Sequence, residues 1–385
     1  MTDVSWAQVC ARRLERHALT AGSTEAGSEP AADAVAAVVS VMCGAHAQVA
    51  AAAELSVGLR VPGATRTLVR QAVWTDRTVV KSRGPRGTVH LLAAADLPMW
   101  TGALSALPIP AHEKNLLTTE QTAQVIGAIA DALAEAELTT AELTEQVVAR
   151  TGPWAGERVI DAFQDKWPRW IAAMGAATRS GAICFGPNRA RATTYTSPAR
   201  WLPGFAPMDG PAALADLVRR YLYSYGPATP AQFARWLAVP APWAVKLFES
   251  LDLAAVTVAG TRAWVAAGDT DFPDDRPTGL RLLPYFDAYT VGCHPRELLF
   301  PGAAAERALA RGQAGNFPVL LVDGTVAGVW HHRRSGRTIQ VTVEPLRALG
   351  AGQREALEEQ VERVGQILEG TPSLTIGTVA VGPHA

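Results

Sequence analysis

Apolar residues recur with a helical period over residues 120–136, 140–150, 211–224 and 230–238. Capping boxes mark two of the helix starts. One is Thr139 with Glu142 three residues on; the other is Thr229 with Gln232, where Pro230 also fills the first helical position. A third helical pattern follows each pair, at 169–180 and 243–251, and then the period drops to that of strands. Residues 183–185 and 192–196 flank a Gly-Pro-Asn turn, and 255–258 and 262–265 flank Gly260. The N-terminal stretch repeats the plan, with helical patterns up to 71–74 and strand-like 79–82 and 88–92 around Arg83-Gly84-Pro85-Arg86-Gly87. Helices closed by a β-hairpin make a winged helix, so the pattern predicts three such units in tandem.

From about residue 280 the texture changes. Segments 281–284, 319–322, 325–330, 338–343 and 374–379 are strand-like, Asp323-Gly324 is a hairpin turn, and 351–369 is one long amphipathic helix. The expected fold class is α+β: three tandem winged-helix domains, at 1–115, 116–205 and 206–278, followed by a β-barrel-like domain at 279–385 with one helix packed on it. Pro-, Gly- and Asp-rich loops at 200–211 and 268–280 mark the clearest boundaries.

Composition narrows the function classes. A chain of 385 residues that is 48% hydrophobic and 18% charged has enough apolar material for several globular modules. No run approaches the roughly 18 apolar residues of a membrane span, and the N-terminus lacks a signal-peptide layout. The four cysteines, Cys10, Cys43, Cys184 and Cys293, are scattered without metal-like spacing. A cytoplasmic, reduced protein with no membrane partner, no metal and no cofactor is expected, and tandem modules favour a monomer. Net charge is −1, but its distribution is uneven. Residues 60–90 hold Arg60, Arg66, Arg70, Arg77, Lys81, Arg83 and Arg86 against the single anion Asp76. Arg189, Arg191 and Arg200 form a second acid-free patch, and Arg333, Arg334 and Arg337 lie in a third with His331 and His332. One basic face with acidic flanks would give this distribution, as would ordinary solvated charge, and the two arginines of the Gly/Pro-rich turn at 83–87 suit a DNA-contacting wing.

The candidate chemistry lies in Cys43-Gly44-Ala45-His46-Ala47-Gln48, at the end of an Ala/Val-rich helical pattern. On a helix, positions two apart face different ways; on extended or turned backbone they converge. Gly44 is a place for the helix to loosen. A convergent imidazole and carboxamide can hold one water between them, or can simply satisfy each other's hydrogen bonds. Elsewhere His90 fits a structural role in an apolar strand. Asp287 and Tyr289, two apart between strand-like segments, could share one face and fit a structural hydrogen-bonding role. Trp154, Trp167, Trp170, Trp236, Trp243 and Trp264 fall at core spacings. Neighbours on a strand point to opposite faces, so His331 and His332 are not expected to share a metal.

Three winged-helix units, a β domain and a Gln-type dyad near the N-terminus resemble the AlkZ-like winged-helix DNA glycosylases, a family that includes an azinomycin-resistance glycosylase and an enteric branch. The resemblance covers essentially the whole chain. Its carriers are Gly44-Ala45-His46-Ala47-Gln48, the segment from Arg83 to Leu91, Leu282-Leu283-Pro284-Tyr285-Phe286-Asp287-Ala288-Tyr289, and Gly328-Val329-Trp330 with its basic tail. The family motif is Gln-hydrophobic-Gln, or Gln-hydrophobic-Asp in the enteric branch; here His46 stands at the first position. The resemblance implies a C-shaped molecule with a concave DNA channel. It also implies monofunctional excision of bulky N7-alkylated purines, with water positioned by His46 and Gln48 and no cofactor. Adducts of a DNA-alkylating antibiotic, in self-resistance, are the implied setting. Phosphate contacts are expected from Arg60, Lys81, Arg83, Arg86, Arg189, Arg191, Arg333, Arg334 and Arg337, with Asp287 and Tyr289 behind the dyad. A winged-helix regulator and a protein that sequesters the drug itself are the alternatives.

Overall fold

A computed structural model of the chain describes residues 2–20, 32–108, 116–162, 165–274 and 276–384; the expected boundary at 115 lies outside these residues. The described residues form two compact units. One comprises residues up to Thr78 together with Val218 onward, and the other runs from Val79 to Leu217.

The first unit begins with a strand that the apolar pattern does not announce. Thr2–Val4 pairs in parallel with Leu253–Val258, which pairs antiparallel with Thr261–Ala266 across the expected turn. Ala259 and Gly260 both take positive φ, 48° and 77°, the backbone that a two-residue hairpin needs. The helix Trp6–Arg16 follows, opened by a Ser5/Gln8 capping box. Pro230–Leu237 opens on its Thr229/Gln232 box as expected, and Ala241–Glu249 succeeds it. Tyr221, Tyr225, Phe233, Trp236 and Phe248 interlock between these helices, with ring centroids about 5–6 Å apart.

The C-terminal part of this unit is a five-stranded sheet in chain order: Leu280–Leu283, Val319–Val322, Thr325–Ser335, Thr338–Pro345 and Thr371–Ile376. Asp323-Gly324 makes its turn with φ of 50° and 79°. The first four strands are antiparallel; the last joins parallel to its neighbour, and the helix Ala351–Leu368 lies between them in the chain. The sheet is a curled half-barrel, not a closed one: Leu280–Leu283 and Thr371–Ile376 are its open edges. The helix buries Leu357, Val361, Val364 and Ile367 against Leu282, Leu320, Trp330 and Val341. Gly58 lets the helix Ala50–Gly58 approach closely, since a Cβ there would lie 2.7 Å from Ile367.

The second unit carries the hairpin Val79–Arg83 with Val89–Ala93 and the helix Leu97–Ser105. Thr119–Leu133 and Thr140–Thr151 open on capping boxes, Thr118/Gln121 and Thr139/Glu142. A second hairpin, Cys184–Arg189 with Ala192–Thr196, takes Leu138–Thr139 as a third strand. Two expectations change here. The helix expected at 169–180 is a 3-10 turn, Arg169–Ala173, followed by the short helix Met174–Arg179. An additional hairpin, Arg158–Asp161 with Lys166–Pro168, leaves Trp167 55% exposed, so that residue is not core. Trp170 is wholly buried, among Leu143, Val147 and Ala177. All four cysteines are buried thiols, and no helix among the described residues is long and apolar enough to cross a membrane.

Candidate active site and basic surface residues

The His46–Gln48 segment is shaped by the end of the helix before it and the start of the helix after it. The helix Ala32–Val41 stops in a Schellman turn: Gly44 donates to the Val39 carbonyl at 3.0 Å and Cys43 to that of Ser40 at 2.9 Å. Cys43, with φ of 51°, takes the left-handed position usually given to glycine, and Gly44 follows at 90°. Helix ends leave carbonyls unpaired. Here the Ser224 hydroxyl donates to Val41 O and the Tyr225 hydroxyl to Met42 O, each at 2.5 Å. The turn is therefore pinned from both sides before the chain extends into Ala45–His46.

Burial then alternates. Ala45 and Ala47 are buried, His46 is half-buried and Gln48 is exposed. The strand ends at His46 and Gln48 lies in the bend that follows, so both side chains are less covered than those of Ala45 and Ala47. Gln48 stands just ahead of the helix Ala50–Gly58, whose N-cap, Val49, has no side-chain acceptor. The His46 ring lies over Phe286, with centroids 4.6 Å apart.

Behind Phe286 is a buried ion pair. Arg60 holds Asp287 through two nitrogens, each at 2.8 Å, and neither side chain has any exposed area. Ser56 donates to the same carboxylate at 2.6 Å and the Tyr289 amide at 2.9 Å. Burial alone would raise the Asp287 pKa, but the Arg60 charge and these donors outweigh it and hold the carboxyl below its ordinary value. Arg60 is therefore withdrawn as a phosphate contact. Reaching solvent would mean breaking a buried pair, worth about 3–5 kcal/mol. Asp287 and Tyr289 make structural hydrogen bonds from a helical turn: Asp287 caps Ala288–Gly292, and the Tyr289 hydroxyl donates to Gly324 O at 2.9 Å.

The remaining basic residues divide by what already holds them. Arg66 and Arg70 face the buried Glu54 at 3.5 and 2.6 Å. On the first hairpin of the second unit, Arg83 donates to Gly87 O at 2.9 Å and Arg86 sits at the turn with φ of 60°. Lys81 is half-buried, its ammonium 5.1 Å from the centre of the Phe185 ring. His90 is buried there, with Nδ1 2.9 Å from Thr88 O. Arg189 is tied to Glu142 at 2.9 Å, whereas Arg191 is exposed in the adjacent turn. On the long C-terminal hairpin Arg334 caps the helix Ala351–Leu368 by donating to Leu368 O at 2.6 Å, while Arg333 and Arg337 are exposed. Among the described residues no group of three or more His, Cys, Asp or Glu is placed to hold a metal ion.

Phe286, which meets His46, and Tyr285 and His384, which meet Phe286, carry no local sequence signal for that place. Tyr285 and Phe286 stand in a segment of the family resemblance without an assigned role, and His384 comes from the far end of the chain.

The whole scaffold matches that of a DNA-repair enzyme. The solved structure of the Streptomyces sahachiroi DNA glycosylase AlkZ superposes with a TM-score of 0.77 at 26% identity, covering 98% of this chain and 100% of that one. An "Interstrand DNA cross-link repair glycosylase" from the same organism is 30% identical over 350 residues, 85% of this chain and 87% of its own. The family model for AlkZ-like DNA glycosylases matches residues 39–367, and the chain belongs to that family. The protein is a DNA glycosylase.

Proposed function

We propose that this glycosylase hydrolyses the N-glycosidic bond of bulky N7-alkylated purines in double-stranded DNA, acting as a monomer, with His46 and Gln48 as the catalytic pair. The observation that carries the reading is a half-buried His46 and an exposed Gln48, two residues apart on a pinned strand-to-helix turn. Alkylation at N7 makes the base cationic, so the C1′–N9 electron pair leaves on a neutral purine and no protonation of the base is needed. What the enzyme must supply is water at C1′ while the sugar develops oxocarbenium character. Gln48 fixes that water through its carboxamide. His46 in its neutral form takes the proton as the new C1′–O bond forms, a role that no Gln can fill. General-base assistance of this kind contributes about 10²- to 10⁴-fold.

Affinity comes from phosphate contacts that position the duplex without reading sequence. Arg191 on one hairpin and Arg333 with Arg337 on the C-terminal hairpin are exposed and would make them; Arg189 and Arg334, exposed but tied to Glu142 and Leu368 O, and the half-buried Lys81, Arg83 and Arg86 would contribute from partly committed positions. The three helix-and-hairpin stretches are read as winged helices. Cross-link repair by the Streptomyces relative supports adducts of a DNA-alkylating antibiotic as the substrate class.

The test is base release from duplex DNA carrying an N7-alkylguanine or a bulkier antibiotic adduct, scored by alkali-sensitive strand cleavage. Wild type should cleave, while His46→Ala and Gln48→Ala lose about 10²-fold or more yet still bind DNA. A wild-type protein that binds these duplexes and releases no base overturns the proposal.

A further inference from the structure

Four half-buried rings from three distant stretches of chain form a run of contacts that ends on His46. The His46 imidazole lies over Phe286 at 4.6 Å between centroids, with the ring planes inclined by 31°. His384 meets Phe286 edge-on at 5.5 Å and 80°, and meets Tyr285 at 5.2 Å and 61°. These are the offset and edge-to-face arrangements that aromatic quadrupoles favour.

Phe286 does not reach this place on relaxed backbone. Its φ is +55°, in the left-handed region that is unfavourable for a non-glycine residue. Its amide donates to Gly315 O at 2.9 Å. Gly315, at φ +98°, leaves no room for a side chain, because a Cβ would sit 3.0 Å from Phe286 Cδ1. The next residue, Asn316, accepts the amide of His384 at 2.9 Å. One two-residue stretch thus holds the backbone of both rings. Such strain persists only where the surroundings over-determine a geometry.

We propose that Phe286 and His384 form a positioning stack for His46, making His384 a positioning residue of the reaction. This rests on the reading of His46 as the group that takes the proton from water. Phe286 covers one face of the imidazole and limits its rotation; His384, braced by Tyr285, keeps Phe286 from swinging away. The ring of His384 is what matters, not its nitrogens.

Two readouts on the full chain test this. Proton NMR follows the His46 ring signals, identified by their loss in His46→Ala, whose upfield position reports stacking on Phe286. Kinetics separates kcat from KM for base release from an N7-alkylguanine duplex. In His384→Ala the His46 signals should move downfield and broaden, and kcat should fall about two- to tenfold, the range that an aromatic pair is worth, with KM little changed. His384→Phe should restore both. Phe286→Leu should abolish the ring-current shift altogether. Unmoved His46 signals in His384→Ala overturn the proposal, as does a His384→Phe variant that behaves like the alanine variant. A wild type without base release sinks the catalytic reading, while the NMR signals still decide the stack.

Discussion

The two compact units are built on different physics. The second, from Val79 to Leu217, closes around Val125, Ile129, Leu133, Leu143, Val147 and Trp170, and apart from His90 and Asp96 its buried polar groups are hydroxyls such as Thr101, Thr178, Thr194 and Thr196. The first buries charge: Arg12, Arg13, Glu54, Arg60 and Asp287, together with the imidazoles of His17 and His294. These charges are not idle in the fold. Arg12 reaches the carbonyls of Asp269 and Asp271 at 2.9 and 2.8 Å, and Arg13 those of Gly226 and Pro227 at 3.3 and 3.1 Å. They tie the N-terminal helix to residues more than half the chain away. An apolar core tolerates sliding and repacking; a hydrogen-bonded charge network admits few arrangements. The unit that carries His46 and Gln48 is the one whose interior demands exact partners.

The largest effect that separates the two is the loss of a partner. Asp287→Ala leaves the Arg60 guanidinium buried and uncompensated, and should cost about 3–5 kcal/mol in urea unfolding. The double replacement Arg60→Met with Asp287→Leu should recover most of that, because removing both charges removes the desolvation penalty with them. In the second unit Trp170→Ala should cost about as much through the cavity it leaves, but no second deletion restores it. A double variant at 60 and 287 no better than Asp287→Ala would mean that packing, not charge, sets the first unit's sensitivity.

The same contrast explains what could be foreseen. The helix pairs, the hairpins at 255–265 and 319–335 and the half-barrel strands follow from periodicity, capping boxes and Asp323-Gly324, all of which act over a few residues. The Gly44–Gln48 turn was legible for the same reason, since its Schellman geometry is local. Arg60 was misplaced because charge read along a chain gives no hint of a buried carboxylate at 287. The parallel pairing of Thr2–Val4 with Leu253–Val258 is equally non-local. The hairpin bearing Trp167 has short, polar strands without alternation, so nothing in its pattern announced that this Trp faces solvent. Phe286 meets His46, and His384 meets Phe286, only through tertiary contact.

A second, smaller effect is pH. Burial drives the His17 pKa from 6.5 down to about 3, with the nearby Arg60 charge adding to it, and drives His294 to about 2. The sign follows directly. Below pH 6.5 the unfolded chain takes up protons that the folded one refuses, so this stability is fully present above pH 6.5 and drains away as pH falls toward 3. At pH 5 each group should remove on the order of 2 kcal/mol. Urea midpoints at pH 7.5 and 5.0 should fall accordingly for wild type, and by less for His17→Gln. Equal losses in the two proteins would show that His17 is not the group being protonated.

The smallest effect concerns the surface, where charge should act without touching the fold. Arg337 stands exposed at the turn between Thr325–Ser335 and Thr338–Pro345. If it meets a phosphate, Arg337→Ala should weaken DNA binding about equally across sequences and lower the slope of log affinity against log salt by about 0.9. Its folding stability should stay within about 0.5 kcal/mol of wild type. The Arg60→Met/Asp287→Leu protein supplies the opposite case, a lost cation whose removal leaves the salt slope alone. Should both variants change the slope equally, exposure would not distinguish the cations that meet DNA from those that hold the fold. A slope unchanged in Arg337→Ala would take the C-terminal hairpin tip off the phosphate backbone and leave the hairpins of the second unit to carry the electrostatic contact.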